Sequence, residues 1–160
     1  LQIGAALCSG WAYDYCRSFI AGAVESVTGA APSDKAVFQA MDRAAEAAQT
    51  GADGLVFDTR FQGTRGEPAL RGAISEISTS NLTLANFCRA ALEGLVEEWA
   101  VGGGRCDMAT VTALAASGNL ARHSALIRNI IATRFGRPCR LSEAVEEAAF
   151  GAALWSIRKG

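Results

Sequence analysis

The sequence predicts an α/β domain in which amphipathic helices alternate with short strands. The strongest helical pattern covers residues 84–99, where apolar side chains recur every three or four positions. Residues 108–114 form a short apolar run rich in β-forming residues, and a turn of small residues and a second helical pattern follow it. With 50% apolar residues in 160, the chain can bury the core of one ordinary domain.

Charge and cysteine content exclude several classes of protein. A net charge of −1 with 19% charged residues gives no basic surface for nucleic acid. No apolar run has membrane-spanning length, and no signal-peptide pattern is present. The five cysteines form no C-x-x-C pair, and only His123 could add a nitrogen ligand. We therefore expect reduced, mostly buried thiols, no metal site and a cytoplasmic protein. The chain lacks an initiator methionine, so we expect a segment of a longer polypeptide.

The first third of the chain predicts two helices. The first covers residues 8–23 because four large side chains recur every four positions, a stripe that we expect in the core: Leu7, Trp11, Tyr15 and Phe19. Residues 24–32 read as a connector. Ser33 and Asp34 can cap the second helix, which presents Val37, Phe38 and Met41 on one face and ends at Gly51.

Two short strands enclose a long polar loop in the middle of the chain. The strands are predicted at residues 55–57 and 72–77, and the loop covers residues 58–71. Loops of this length in a compact domain usually have a function or lie at an interface. Arg65 and Arg71 are candidates for binding an anion or carboxylate, and the alternative is that they are solvated surface arginines.

The long helix that follows is predicted to be a buried scaffold, capped by Asn81 or Thr83. Glu93 is either half-buried and paired with an arginine or an ordinary exposed glutamate. Gly94 leaves room for a close neighbour. The glycines at 102–104 leave a helix and enter a strand, so we interpret them as a helix stop rather than a phosphate loop.

The central unit is the strand, turn and helix between residues 108 and 138. The strand stops at residues 115–119, where Ser117, Gly118 and Asn119 allow open backbone N–H groups and positive φ. A helix starting directly after such a turn offers donors and partial positive charge to an anion or nucleotide. The turn is therefore a candidate nucleotide site, although the same turn is also a common packing device in α/β proteins.

The chain closes with a strand at residues 139–141, a cap at Ser142 and a helix over residues 145–158. Small residues cover much of that helix, Ala149 and Gly151 among them. Such a face lets a partner backbone or a flat ligand approach closely.

Four stretches together resemble the FGGY carbohydrate kinases. Residues 72–93 resemble the family's C-terminal signature, with Glu76 where glycine is usual. Residues 61–72 are similar to its G-E-R-x-P … R-G loop, with Thr64 in place of the glutamate. Residues 117–122 are similar to its adenine-nucleotide turn, in an S-G-N-x-x-R form that looks most like sedoheptulokinase-type members, and residues 146–153 are similar to its closing E-x-A-A-x-G-A-A helix. As a whole, the chain most resembles sedoheptulokinase-like and xylulokinase-like members of the family.

The resemblance implies an actin-like, ribonuclease-H-like ATPase domain, lacking its first strands. Residues 1–160 would form the single C-terminal nucleotide-binding domain of a two-domain kinase. That kinase would use ATP and Mg²⁺ to phosphorylate a hydroxyl of a sugar, such as the ketoses sedoheptulose or xylulose. The implied partners are the sugar and the N-terminal kinase domain, with a homodimer left open.

The resemblance also implies roles for individual residues. Ser117, Gly118 and Asn119 would offer donors to the nucleotide, Arg122 would flank its base or ribose, and Ala149 with Gly151 would make room for it. No residue matches the family's catalytic aspartate, so no catalytic or metal-binding residue is predicted and the segment alone would be inactive. The alternative is a non-catalytic or degenerate domain that binds a nucleotide or a protein.

Overall fold

The computed structural model describes residues 10–64, 66–103, 108–143 and 155. The chain divides into two compact units, Leu1–Ala109 and Thr110–Gly160. Within the described residues, the first unit contains three long helices and an antiparallel pair of strands, and the second contains a parallel pair of strands and two helices.

Helix α1, Gly10–Thr28, packs against the next two helices through Ala12, Tyr13 and Cys16. The small side chains of Ala12 and Cys16 let the helix lie close to its neighbours. The buried Tyr13 hydroxyl donates a hydrogen bond to Asp42 Oδ1 at 3.3 Å. Burial is also the main reason that the pKa of Tyr13 is raised well above its usual range.

The prediction that the aromatic residues of α1 lie in the core is wrong, because these residues lie on the surface. Trp11, Tyr15 and Phe19 are 45%, 55% and 68% exposed, respectively. The opposite choice is observed: the buried residues of α1 are Ala12, Tyr13 and Cys16. Leu7 lies outside the described residues.

The predicted connector, residues 24–32, begins later in the structure than predicted and ends where it was predicted to end. Helix α1 continues to Thr28, five residues past the predicted end, and stops at Gly29, which has φ +72° and donates its N–H to Glu25 O at 2.8 Å. Helix α2, Asp34–Ala47, begins as predicted, with Ser33 Oγ accepting from the Ala36 N–H. It ends before the predicted stop at Gly51.

Strands β1, Val56–Asp58, and β2, Ala73–Ser75, pair antiparallel with Phe57 opposite Ile74. Both predicted strands are confirmed, but the second is shorter than predicted. The strand stops because Glu76 has φ +57°, which no extended strand can accommodate. Residues 59–72 form the predicted loop between the strands.

Helix α3, Leu84–Gly103, is the predicted scaffold helix. Thr83 Oγ1 accepts from the Asn86 N–H at 3.1 Å, so Thr83 is the cap. The core face is lined by small and branched side chains: Cys88, Ala91, Leu92, Leu95 and Val96. Leu84, which was predicted on this face, is instead 52% exposed.

Gly94 has the close neighbour that the sequence predicts, and that neighbour is the backbone of β1. A Cβ atom built on Gly94 would collide with the carbonyl oxygen of Phe57. Because glycine has no side chain, α3 can lie directly on the strand.

The second unit is built around a parallel strand pair. Strand β3, Leu114–Ala116, pairs with β4, Cys139–Leu141, and Leu114 lies opposite Cys139. Between the strands lie helices α4, Asn119–His123, and α5, Ala125–Phe135. Helix α5 buries three isoleucines and ends at Gly136, as predicted: Ile127, Ile130 and Ile131.

Two predictions for this unit are wrong in position. The strand begins at Leu114 rather than at Met108, so it includes two residues that were assigned to its stop. The turn leads into the five-residue α4 rather than into the long helix. The helices separate because buried Ser124 has extended backbone (φ −112°, ψ 112°) and its Oγ accepts from the Ile127 N–H, capping α5.

The described cysteines are free thiols, as expected. Cys16 and Cys88 are buried, and burial raises the pKa of each thiol to about 12. Cys8, Cys106 and the helix predicted at residues 145–158, apart from Trp155, lie outside the described residues. Among the described helices, none is long and apolar enough to cross a bilayer.

We expect Gly94→Ala to lower the free energy of unfolding by about 3 kcal/mol, because the new methyl group forces α3 away from β1. Urea unfolding of the purified protein measures this change. Gly22→Ala in α1 is the matched control, since its Cβ would meet no atom within 4 Å. The control should stabilise the helix by somewhat under 1 kcal/mol. Equal effects in the two variants would contradict the close α3–β1 contact.

We expect Glu76→Gly to raise the free energy of unfolding by roughly 0.5 kcal/mol. The substitution relieves a left-handed conformation that costs about 1–2 kcal/mol for a residue with a side chain, and loses part of this gain to the entropy of glycine in the unfolded chain. Thermal unfolding is the readout. Ala73→Gly in β2 serves as control and should be destabilising; a loss of stability at residue 76 as well would argue against strain there.

Candidate functional site

The turn predicted to bind a nucleotide follows the carboxyl end of β3. Ser117, Gly118 and Asn119 are all exposed. Gly118 has φ +88° and ψ 165°, a conformation that is essentially restricted to glycine. A Cβ atom there would meet nothing within 4 Å. The backbone conformation, not crowding, therefore requires the glycine, and the space beside it is open.

Helix α4 begins at this turn without a side-chain cap. Its first return bond is donated by the Arg122 N–H to Gly118 O at 3.0 Å. The helix has only five residues, so few peptide dipoles align and its macrodipole is small. The predicted contribution of a long helix dipole to anion binding is therefore absent. The groups that remain for a ligand are the exposed backbone of the turn and the side chains of Ser117 and Asn119.

Arg122 lies on the same short helix, half-buried and one turn after Gly118. Arg128, on α5, fixes the junction between the two helices: its Nη1 donates to Ser124 O at 3.1 Å and also to Ala121 O. The structure thus brings Ser117, Gly118, Asn119 and Arg122 together. Ala149 and Gly151 lie outside the described residues.

The segment around the turn is strongly basic, which the net charge of the whole chain hides. Residues 110–143 contain five arginines and a single acidic residue, Glu143. A cationic environment raises the local concentration of an anionic ligand such as a polyphosphate. A count of charge along the chain, rather than over all of it, would have revealed this feature.

Two arginines of the long loop in the first unit bind partners in or next to the loop. Arg60 Nη2 forms an ion pair with Asp58 Oδ2 at 2.6 Å, and the hydrogen bonds from Arg60 lower the pKa of Asp58. Arg71 Nη1 donates to Pro68 O and Leu70 O. Arg71, a candidate for anion binding, therefore closes its own loop, and Arg65 lies outside the described residues.

Polar residues of α3 hold the turn before β1. Residues 51–54 all have positive φ, including the non-glycine residues Ala52 and Asp53. Glu93 accepts the Gly51 N–H at 3.1 Å and pairs with Arg89 at 2.6 Å. Of the two alternatives for Glu93, the half-buried ion pair is the one observed.

The same turn is held from its other side by asparagines. Asn86 Nδ2 donates to Asp53 Oδ2 at 3.0 Å, and Asn81 Nδ2 donates to Asp53 O at 3.2 Å. Asp53 had no predicted role, although the two glycines around Ala52 and Asp53 are a typical signal for left-handed backbone. Asn86 and Glu93, both part of the signature segment, therefore support the fold of this turn.

No group of three or more His, Cys, Asp or Glu side chains in the described ranges is arranged to hold a metal ion.

Comparison with known proteins identifies the family of this α/β chain. A family model described as "FGGY family of carbohydrate kinases, C-terminal domain" matches residues 2–158. The chain belongs to the FGGY family. The family resemblance found in the sequence is therefore confirmed, and the matching model is the one for the C-terminal domain of that family. No curated protein matches the sequence significantly.

Solved structures of xylulose and gluconate kinases share the fold. Xylulose kinase from Rhodospirillum rubrum superposes with a TM-score of 0.66 and 24% identity, over 83% of this chain and 25% of that chain. Gluconate kinase from Lactobacillus acidophilus gives 0.65 and 18%, over 86% and 26%. Xylulose kinase from the same species gives 0.67 and 17%, over 86% and 26%.

These likenesses confirm the predicted fold class, an α/β C-terminal domain of the actin-like ATPase type. The FGGY domain spans about a quarter of the length of each of these solved chains.

Proposed function

We propose that this FGGY domain is the nucleotide-binding part of an ATP-dependent sugar kinase. The observation that carries the proposal is the family match over residues 2–158. Two of the similar solved structures are xylulose kinases and one is a gluconate kinase. We favour a ketose as substrate: the S-G-N-x-x-R turn resembles sedoheptulokinase-type members, which supports sedoheptulose, and the similar xylulose kinases support xylulose.

The proposed nucleotide site is the turn formed by Ser117, Gly118 and Asn119, with Arg122 beside it. Three features support it. The turn follows the carboxyl end of a parallel strand, which is where open α/β sheets bind ligands. Gly118 leaves open space for close approach to the backbone, and the surrounding segment is basic. Ala149 and Gly151 complete the proposal on the family pattern alone.

The residues of the proposed site would bind the nucleotide itself, and Mg²⁺ would be bound through the nucleotide's phosphates. The exposed backbone and the side chains of Ser117, Asn119 and Arg122 suit a nucleotide, whose phosphates commonly bring Mg²⁺ with them. When bound, ATP supplies the phosphoryl group that is transferred to the sugar hydroxyl. The chain's own contribution is to bind and orient the nucleotide, while the base that accepts the hydroxyl proton would belong to the other domain of the kinase.

The proposed partners are therefore the sugar and the N-terminal kinase domain. The buried, free thiols of Cys16 and Cys88 are typical of the reducing cytoplasm, which is the compartment that we propose.

We expect Gly118→Ala to weaken ATP binding at least about tenfold, because the substitution shifts a backbone conformation that costs roughly 1–3 kcal/mol for other residues. Calorimetric titration of the complete polypeptide with ATP and Mg²⁺ is the measurement. Gly136→Ala is the matched control: this glycine also has positive φ and open space at its Cβ, but lies at the far end of α5. Equal affinities in the two variants would refute the site.

We expect the complete polypeptide to release ADP from ATP only when a suitable ketose is added, because phosphoryl transfer needs the sugar hydroxyl as acceptor. A coupled ADP assay with a panel of ketoses, aldoses and gluconate identifies the substrate. ATP binding without sugar-dependent release would instead favour the non-catalytic alternative, which the departures from the family pattern at Thr64 and Glu76 motivate.

A further inference from the structure

Arg128 connects the two helices of the second unit through backbone oxygens. Its Nη1 donates to the carbonyl of Ser124 at 3.1 Å and to the carbonyl of Ala121, the third residue of α4. The guanidinium group is half-buried at this junction. Hydrogen bonds from a charged donor are stronger than those between neutral groups. One side chain of α5 therefore fixes both α4 and the residue that follows it.

Helix α4 depends on such support because it is very short. One turn of helix gains too few hydrogen bonds to offset the ordering of the chain, so helices of this length are not stable by themselves. Helix α4 has five residues, and no side chain caps its first turn. Its last return bond is donated by the Ser124 N–H to Leu120 O at 3.0 Å. The order of α4 therefore depends on the burial of Ala121 and on the hydrogen bonds from Arg128.

The order of α4 determines the geometry of the candidate nucleotide turn. The Arg122 N–H donates to Gly118 O at 3.0 Å, so the glycine of the turn also begins the helix, and Asn119 is the first helical residue. We propose that Arg128 is a positioning residue of the nucleotide site. It keeps α4 folded, and α4 keeps the turn in the arrangement that binds the nucleotide. This inference rests on the proposed function, since it needs the turn to be the nucleotide site.

Arg137 makes the same kind of contact at the opposite end of the strand pair. Its Nε donates to Val111 O at 2.6 Å, and its Nη1 donates to Gly136 O at 2.9 Å. Arg137 precedes Cys139, the first residue of β4, so it lies at the amino end of the parallel strands, whereas the turn follows the carboxyl end of β3. Arg137 is therefore a matched control, an arginine that binds backbone carbonyls of the same unit away from the turn.

Calorimetric titration of the complete polypeptide with ATP and Mg²⁺ tests the inference. Arg128→Met keeps an apolar stem but removes the donors. We expect about tenfold weaker binding with an unchanged number of sites, because apparent affinity falls with the fraction of molecules in the competent arrangement. Arg137→Met should bind ATP as the unchanged protein does. Unchanged affinity in Arg128→Met, or an equal loss in both variants, would overturn the inference. Fewer sites with unchanged affinity would also overturn it, because that is the result of a role in stability alone.

Hydrogen exchange of the same proteins without ATP separates positioning from direct contact with the nucleotide. The amides of Arg122 and Ser124 should exchange about tenfold faster in Arg128→Met, since exchange follows the locally open population, while amides in the last turn of α5 keep their rates. Weaker ATP binding with unchanged exchange in α4 would overturn the inference. Arg128→Gln, which retains one amide donor, decides the matter if Arg128→Met does not fold, and unchanged affinity in that variant would overturn the inference.

The unchanged polypeptide separates the failure of this inference from the failure of the proposed function. If it binds no ATP, the nucleotide function is refuted and the role of Arg128 is refuted with it. If it binds ATP and Arg128→Met binds equally well, only the role of Arg128 is refuted.

Discussion

The first unit depends on one close contact, in which helix α3 lies directly on the backbone of β1 at Gly94. The absence of a side chain at this position brings the helix near enough for its polar groups to reach the turn before the strand. Asn86 and Glu93 then hold four consecutive residues with positive φ by hydrogen bonds, and Arg89 pairs with Glu93 within the helix. A strained turn of this kind persists only where its surroundings determine it. In this chain, the signature segment of the FGGY family thus connects helix α3 to strand β1 and to the turn before it.

The second unit depends on a break between two helices rather than on a close contact. The candidate site lies next to the short helix that this break leaves. Ser124 is buried, its backbone is extended, and its side chain caps α5. The chain therefore forms a five-residue helix after the turn and begins α5 as a separate helix. The junction is further held by Arg128 through backbone carbonyls. This arrangement exposes the Ser117–Asn119 backbone at the end of a parallel strand. The family match gives the exposure a functional interpretation that the turn alone does not carry.

The aromatic residues of α1 show that the spacing of residues can predict a shared helix face correctly while the predicted burial of that face is wrong. Trp11, Tyr15 and Phe19 do share one face of α1, as their spacing indicates. Spacing defines a face of a helix, but which face packs against the rest of the unit depends on the shapes of the neighbours. In this unit the face with Ala12, Tyr13 and Cys16 packs against the neighbouring helices, so the other three aromatic rings remain exposed.

The sequence by itself determined the features that depend on local chemistry. The Ser33 cap, the stop at Gly136, most of the core face of α3 and the family motifs all follow from a few neighbouring residues. Only the tertiary structure decided the rest, because it depends on contacts between distant residues. The hydrogen bond from Gly51 to Glu93, the role of Asp53 as the partner of Asn86, and the contact of Phe19 with Phe87 each require α3 to meet another element. No pattern within one segment encodes where two segments touch.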